Sequence, residues 1–504
     1  MTKKAKAGAG HQDAAPVNEE PERLASGESG LVVSAAGCVP VFFGLALAVV
    51  AVIALFFDLG GFIGPKLWMV GIGAILCFLV LLLLSHLSFD PSARGMLVAL
   101  VVGSLLAVGT FRHFGGEGID VVWRAASDRP SAVRAVGSWL SGDVVVRARP
   151  DMVVGYRAAT GEVAWQWSPP GRDTVCGMSE GVADGVGLLG HGVANEPCGA
   201  VVALDLATGR PRWSIDVDAP VRYGEDVYSG VLAFAGRAAV VLERDGWRGL
   251  SMADGRTVWR TAAGKDCAPA FLGGGPSTVV TVMRCKRHPP VLRTLRPEDG
   301  RQGMRAGLPV TTRLKNLAAL STDPVALWVE EEGSRGTHAV VSYDPSGRVR
   351  STIPLAQPEY DLQIPSHGYE YFAARPAYGA VVADDLLIVA ARKQGDTYYT
   401  QGRNTGRTRH GKGRLVAYSL ADGSHCWTTE LHEEVSGLTV DGSSVWALTF
   451  DSLERLDVRT GRKTSNLALR GTSESSVSDL WRVDGHFVVV IEDGTEKAPA
   501  RGLR

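Results

Sequence analysis

Three apolar runs near the start of the chain are followed by a long stretch in which short apolar segments alternate with polar turns. Residues 31–57, 67–87 and 96–111 contain no Asp, Glu, Lys or Arg. A helix rises 1.5 Å per residue, so about 20 apolar residues cross a hydrocarbon layer of about 30 Å. The runs therefore predict three transmembrane α-helices over 31–111. In the third, Gly103 and Ala107 have the spacing that lets a neighbouring helix approach closely. The first run is too long for a signal peptide and two more follow it, so the reading retains it as an anchor. Residues 1–30 hold too few large apolar side chains to fold and predict a disordered tail. Lys3, Lys4, Lys6 and Arg23 precede the first run, whereas the next connection carries only Lys66. This bias points to a cytoplasmic N-terminus, and three crossings then place residues 118–504 outside the cell. The expected location is the cell membrane, multi-pass, with the lipid bilayer as one partner.

Beyond residue 118 a unit repeats. An apolar strand runs into a tight turn ending in Gly, and a Trp follows four residues later. Thr160-Gly161 with Trp165 is one copy, and Thr208-Gly209 with Trp213 is the next. Asp254-Gly255 with Trp259 and Asp422-Gly423 with Trp427 repeat it. Weaker copies centre on Gly300, Gly347 and Gly461, with Met304, Ser351 and Ser465 at the Trp place. The Gly347 turn is one residue shorter. The seven turn glycines are 48, 46, 45, 47, 76 and 38 residues apart. A period near 45 with Gly turns predicts propeller blades of about four strands. The glycine supplies the positive φ of the turn, and the Trp a flat surface for a neighbouring blade. Polar hairpins at Asp384-Asp385, Asp441-Gly442 and Asp484-Gly485 add a second turn per unit. The last hairpin lacks a following Trp strand, but residues 121–126, with Trp123, match residues 257–262, with Trp259. The N-terminal strand is thus expected to complete the last of about eight blades.

The repeated Thr/Asp-Gly-x-x-x-Trp at blade spacing resembles the pyrroloquinoline-quinone-like (PQQ-like) β-propeller family, and the likeness covers about residues 118–504. The resemblance implies an all-β propeller. It spans quinone-dependent dehydrogenases, scaffold subunits of outer-membrane assembly and extracytoplasmic sensor domains. The dehydrogenases carry adjacent cysteines near the quinone and a Ca²⁺ site. This sequence has no adjacent cysteines, no cofactor-ligating residue is carried over, and no cofactor is expected.

Charge narrows the function. With 52 basic and 53 acidic residues the formal net charge is −1, which gives no overall attraction to nucleic acid. Cys38 and Cys77 fall in the apolar runs. Cys176 with Cys198, and Cys267 with Cys285, flank candidate hairpins and predict two disulfides, leaving Cys426 as a buried thiol. Gly185-x-Gly187-x-x-Gly190 has dinucleotide-fingerprint spacing but sits in a hairpin rather than at a strand-to-helix turn, so it reads as turn glycine. Gly406 to Lys412 resembles a P-loop, but Gly413 stands where a Ser or Thr would be needed.

The long 76-residue step holds an insertion of about 30 residues within 356–414, estimated against the period of the other units. Tyr398 and Tyr399 lie there, followed by Arg403, Arg407, Arg409 and Lys412. Aromatic and Arg side chains anchor many interfaces, and these six residues are the candidate partner-binding loop. The functional expectation is a membrane-anchored extracytoplasmic propeller, non-enzymatic, binding a protein or cell-envelope partner. The alternatives are a sensor working with a partner and a PQQ-dependent oxidoreductase.

Overall fold

The structure is a computed structural model that describes residues 43–44, 46–50, 69, 73, 101–103, 105–107, 109, 117–127, 133, 135–194, 196–219, 230–286, 288–333, 335–364, 379–393, 413–470, 477–491 and 498–504. The chain divides into two compact units: residues 1–59 with 63–115, and residues 60–62 with 116–504.

In the first unit the described positions are helical. Leu47, Met69 and Ala107 pack into one apolar cluster. A Cβ on Gly73 would sit 2.5 Å from the Gly44 carbonyl oxygen, so the helical segments meet through a small residue. The three transmembrane helices expected over 31–111 are not found among the described residues. Among the described residues no helix is long and apolar enough to cross a membrane. Most of 31–111, with Cys38 and Cys77, lies outside the described residues, as does the 1–30 tail. The multi-pass location, the bilayer as a partner and the inside-outside assignment all rested on those spans and are withdrawn with them.

The second unit is all β, and eight blades can be traced over its described residues. The first strand, β1 (Glu117–Arg124), belongs to the last blade. Blade 1 is β2 (Gly137–Ser141), β3 (Val144–Ala148), β4 (Val153–Arg157) and β5 (Val163–Trp167). Blade 2 is β6 (Asp173–Met178), β7 (Val186–Val193), β8 (Ala200–Asp205) and β9 (Pro211–Asp216). Blade 3 is β10 (Leu232–Ala235), β11 (Ala238–Glu243), β12 (Gly246–Ser251) and β13 (Thr257–Ala262). Blade 4 is β14 (Cys267–Gly274), β15 (Val279–Cys285), β16 (His288–Leu295) and β17 (Gln302–Gly307). Blade 5 is β18 (Leu314–Thr322), β19 (Val325–Glu331), β20 (His338–Tyr343) and β21 (Val349–Pro354). Blade 6 is β22 (Tyr360–Gln363), β23 (Ala380–Ala383), β24 (Leu386–Lys393), β25 (Arg414–Ser419) and β26 (His425–Glu430). Blade 7 is β27 (Val435–Asp441), β28 (Ser444–Thr449), β29 (Ser452–Asp457) and β30 (Lys463–Arg470). Blade 8 is β31 (Val477–Val483), β32 (His486–Ile491), β33 (Ala500–Leu503) and β1.

Within a blade the strands pair antiparallel, in sequence order except that β22 and β23 both pair with β24 in blade 6 and β1 follows β33 in blade 8. Apolar side chains from neighbouring blades fill the space between them. Trp139 and Val146 of blade 1 pack with Leu189 and Val202 of blade 2, and similar clusters follow at each later junction. Val145 of blade 1 packs with Val488 and Val490 of blade 8, which closes the ring.

The repeated Gly and Trp make the joint. Each Trp sits on the outermost strand of its blade and lies against the turn glycine of the next. A Cβ on Gly209 would fall 2.5 Å from the Trp165 ring, and one on Gly461 2.5 Å from Trp427. Gly209 has φ 69° and Gly461 φ 66°, a region that side-chain-bearing residues rarely enter. The indole N–H donates to the carbonyl three residues before that glycine: Trp165 to Leu206 (2.8 Å), Trp213 to Met252 (3.0 Å), Trp259 to Pro297 (2.7 Å) and Trp427 to Val458 (3.0 Å). Trp123 donates to Ala158 at 2.9 Å, so β1 serves blade 8 as the expected closing strand. It pairs with β33 through Val121↔Leu503 and Trp123↔Gly502. Where blade 5 has Ser351 in place of Trp, the hydroxyls of Ser351 and Ser342 donate to the equivalent carbonyl of Leu420, at 3.0 and 2.5 Å. At the junction of blades 7 and 8, Ser465 offers no indole. There β1 also pairs in parallel with β30, Glu117–Asp120 against Leu467–Arg470, and joins the two blades edge to edge.

Replacing Trp123 by Ala should lower the stability of the second unit by about 3–5 kcal/mol, from the lost ring and the orphaned carbonyl. Val122 next to it is 49% exposed, and Val122→Ala should cost no more than about 0.5 kcal/mol. Urea unfolding of the two variants measures the contrast. Equal midpoints would deny β1 its closing role.

Candidate functional site

Because every Trp docks on the turn of the following blade, the blades stand in one sense around the ring. The turns between first and second strands and between third and fourth strands therefore share one face. The connections between second and third strands, and those entering each blade, share the other. On the first face most turns are short. Asp384 and Asp385 (φ 51° and 61°) and Asp484 with Gly485 (φ 45° and 80°) give tight hairpins with both central residues left-handed.

The second face carries the chemistry. Cys176 on β6 is bonded to Cys198 just ahead of β8, and Cys267 at the start of β14 to Cys285 at the end of β15. Each bond ties the entry of a blade to its own second hairpin, and Cys267 and Cys285 face each other across the β14–β15 ladder. The first disulfide is buried and the second half-buried. Cys426 is an exposed free thiol, not the buried one expected, because it alternates away from the inward-facing Trp427 on β26. The glycines of the fingerprint-like run have three structural reasons. Gly185 takes φ 71° in a turn. A Cβ on Gly187 would strike Trp139, and one on Gly190 would come 2.8 Å from the Cys198 sulfur. In blade 2, Asp173 and His191 Nδ1 are 2.8 Å apart beside Trp167.

Between blades 4 and 5 this face opens into a concavity of about 470 Å³, a size usual for ligand sites. Lys265 and Lys286 stand exposed at its rim, Arg284, His288 and Arg313 line it, and Ala268 and Pro290 give apolar surface between them, with the buried Leu314 also in the lining. Asp266 is the acidic lining residue, and Glu332 lies 3.8 Å from Arg313. Positive charge therefore prevails.

Both walls are fixed. On the blade 4 side the disulfide holds Cys267 to Cys285, and the Lys286 N–H donates to the Asp266 carbonyl at 3.0 Å. On the blade 5 side the Glu331 carboxylate, 1% exposed, gathers the loop that carries Arg313. It accepts the Thr311 N–H at 2.6 Å, the Thr312 hydroxyl at 2.9 Å, and the N–H groups of Thr312 and Thr337. Burial pushes this carboxyl up, but the N–H donors of Thr337, Thr312 and Thr311 outweigh it and hold it down at about 2.

Of the residues singled out in the sequence, the four bonded cysteines come to this face. Tyr398, Tyr399, Arg403, Arg407, Arg409 and Lys412 lie outside the described residues, as does the P-loop-like stretch from Gly406. The insertion proves to be in two pieces. One separates β22 from β23, which pair with successive halves of β24, and the other joins β24 to β25. Sequence reading missed the concavity. Its trace was the basic run Arg284, Lys286, Arg287 and His288 around Cys285, but the contribution of Arg313 from the next blade has no local signal. Among the described residues no group of three or more His, Cys, Asp or Glu could hold a metal ion.

Residues 178–327 match the family described as outer membrane protein assembly factor BamB. No curated protein matches the chain. Three solved structures are similar in fold. BamB from Moraxella catarrhalis is 15% identical, with 73% of this chain and 95% of that chain covered and a TM-score of 0.41. The quinohemoprotein alcohol dehydrogenase ADHIIG from Pseudomonas putida HK5 is 12% identical, with 76% and 75% covered and a TM-score of 0.46. Saccharomyces cerevisiae Sqt1 is 9% identical, with 77% and 98% covered and a TM-score of 0.46. Likenesses this distant carry nothing about activity, and the propeller architecture stands on the strand pairings themselves.

The folded Glu331 pKa of about 2 lies below its ordinary 4.5. Its contribution to stability is therefore complete above pH 4.5 and is lost as pH falls from 4.5 toward about 2. Glu331→Gln should be less stable than the parent at neutral pH and lose less over that acid window. Unfolding midpoints from pH 7 down to pH 3 check this, and parallel curves for the two proteins would contradict it.

Proposed function

We propose that this chain is a non-enzymatic binding or scaffold module whose propeller presents the loops of one face to a protein partner. The observation that carries the reading is the asymmetry between the two faces. The face of tight turns repeats with two-residue first hairpins in most blades, longer in blades 2 and 4. The opposite face holds both disulfide-tied hairpins, the basic concavity and the β24–β25 connection from Lys393 to Arg414. A ring whose longest and covalently tied loops gather on one side suits recognition, since specificity usually resides in loops held by a scaffold. The family matched at residues 178–327 is described as an assembly factor, which is in keeping with a scaffold role. The sequence also lacks the adjacent cysteines of the quinone enzymes that its repeat resembles.

The 394–412 segment is the second contact in this reading. Tyr398 and Tyr399 supply contact area, and Arg403, Arg407, Arg409 and Lys412 supply charge. Keeping so long a connection costs little, because each doubling of loop length adds about 0.6 kcal/mol.

Replacing residues 394–412 by a short Gly-Ser linker in the full chain should leave the thermal midpoint within about 2 °C and reduce cross-linked partner capture in intact cells by about tenfold or more. Capture of the same proteins in the same yield would remove this segment from the binding surface. Absence of any protein cross-linked to the parent chain would count against the scaffold reading itself.

A further inference from the structure

The concavity between blades 4 and 5 has the properties of a built recognition site rather than a chance dent. Its cations come from two blades: Lys265, Arg284 and Lys286 from blade 4, with His288 beside them, and Arg313 from the loop entering blade 5. Each set is held by its own device, the Cys267–Cys285 bond on one side and the buried Glu331 carboxylate on the other. Glu331 receives both N–H groups immediately before Arg313, so the backbone that carries the Arg313 side chain is fixed before any ligand arrives. Preorganisation of this kind lowers the entropy cost of binding.

The lining also indicates the kind of ligand. About 470 Å³ far exceeds what one inorganic anion fills. Ala268 and Pro290 lie among the cations, so the surface combines charge with apolar contact. Arg forks pair with carboxylates in two parallel hydrogen bonds, while Lys ammonium groups act as movable point charges at the rim. A chain that alternates carboxylates with small apolar side chains matches this lining throughout its length. A lone phosphate would use the cations and leave the apolar surface wet.

We propose that the blade 4–blade 5 concavity binds an acidic peptide segment of a partner protein, with Lys265, Lys286 and Arg313 recognising its carboxylates and Ala268 and Pro290 its apolar side chains. This rests on the scaffold reading above and names the partner chemistry at one place on that face. Asp266 and Glu332 oppose the cations only in part, and they bias the site toward ligands with several carboxylates over those with one.

The test uses the full chain and a fluorescein-labelled peptide of about twelve residues repeating Glu-Leu-Asp-Ala, read by fluorescence anisotropy. Its controls are the same peptide with Gln and Asn for the acids, and inorganic phosphate as competitor. Saturable binding of the acidic peptide is expected, at least tenfold tighter than the neutral one. Raising salt from about 50 to about 500 mM should weaken it by roughly tenfold, because the contacts are exposed charges. The doubly reversed variant Lys265→Glu/Lys286→Glu alters only exposed side chains and should bind at least tenfold more weakly. Arg256→Glu, on the opposite face and 84% exposed, should bind as the parent does. Arg313→Ala gives an independent check from the other blade and should also weaken binding. Equal affinity for acidic and neutral peptides would overturn the proposal. So would unchanged affinity in the doubly reversed variant, or displacement of the peptide by phosphate at a lower concentration than by unlabelled peptide. If the acidic peptide fails while cellular cross-linking still captures a protein, this inference falls and the scaffold reading stands.

Discussion

The contact on which the second unit depends is a tryptophan on the outer strand of one blade seated on the turn glycine of the next. It works through shape and through one hydrogen bond. The glycine must have no side chain, since the indole occupies the space a Cβ would need, and its left-handed φ closes the turn. The indole N–H then takes the carbonyl three residues earlier, a group the turn leaves without a ladder partner. One side chain thus spaces, orients and satisfies two blades at once. Repeated round the ring, it sets the common sense of the blades and so decides which loops share a face.

Two of the three junctions without a Trp show what the contact supplies, because each of the two substitutes for a part of it. Between blades 5 and 6 two serine hydroxyls reach the Leu420 carbonyl and replace the hydrogen bond but not the ring. Between blades 7 and 8 the β1–β30 parallel pairing replaces the packing by joining strand edges directly. Nearby, Trp446 on β28 stacks edge-on with Phe487 at 4.8 Å, with Arg455 and Arg482 at 5.4 and 5.6 Å from its ring. Closing a ring removes free strand edges, and here the closing strand comes from the opposite end of the unit.

Polar groups on the loop face need their own supports, because they lie beyond the reach of the Trp joints. The disulfides tie loop to strand covalently, and Glu331 does so through a cluster of N–H donors. Removing a buried carboxylate like this one leaves several donors unmatched, which is costly because the charge and its donors were desolvated together. Fixing such loops concentrates cations from two blades in one place without letting them drift apart into water.

The blade repeat, the seven turn glycines, the Trp positions and the exchange of Trp123 to the last blade were all legible in the sequence. They are local patterns with a fixed period, and each residue type has one steric reason to be there. The cysteine pairs were legible because each lies within a single hairpin unit. The three apolar runs were over-read: apolar length allows a spanning helix, but among the described residues no helix is long and apolar enough to cross a membrane. The thiol of Cys426 was misplaced because burial on an outer strand depends on which face the Trp claims. The concavity could not be read at all. Arg313 and Lys286 are 27 positions apart in the chain, and only the docking of blade 4 against blade 5 brings their charges to one rim. The sequence by itself determined the repeated unit, because strand period and turn sterics act over a few residues. The tertiary structure alone decided the site, because charge convergence depends on how separate blades are turned toward one another.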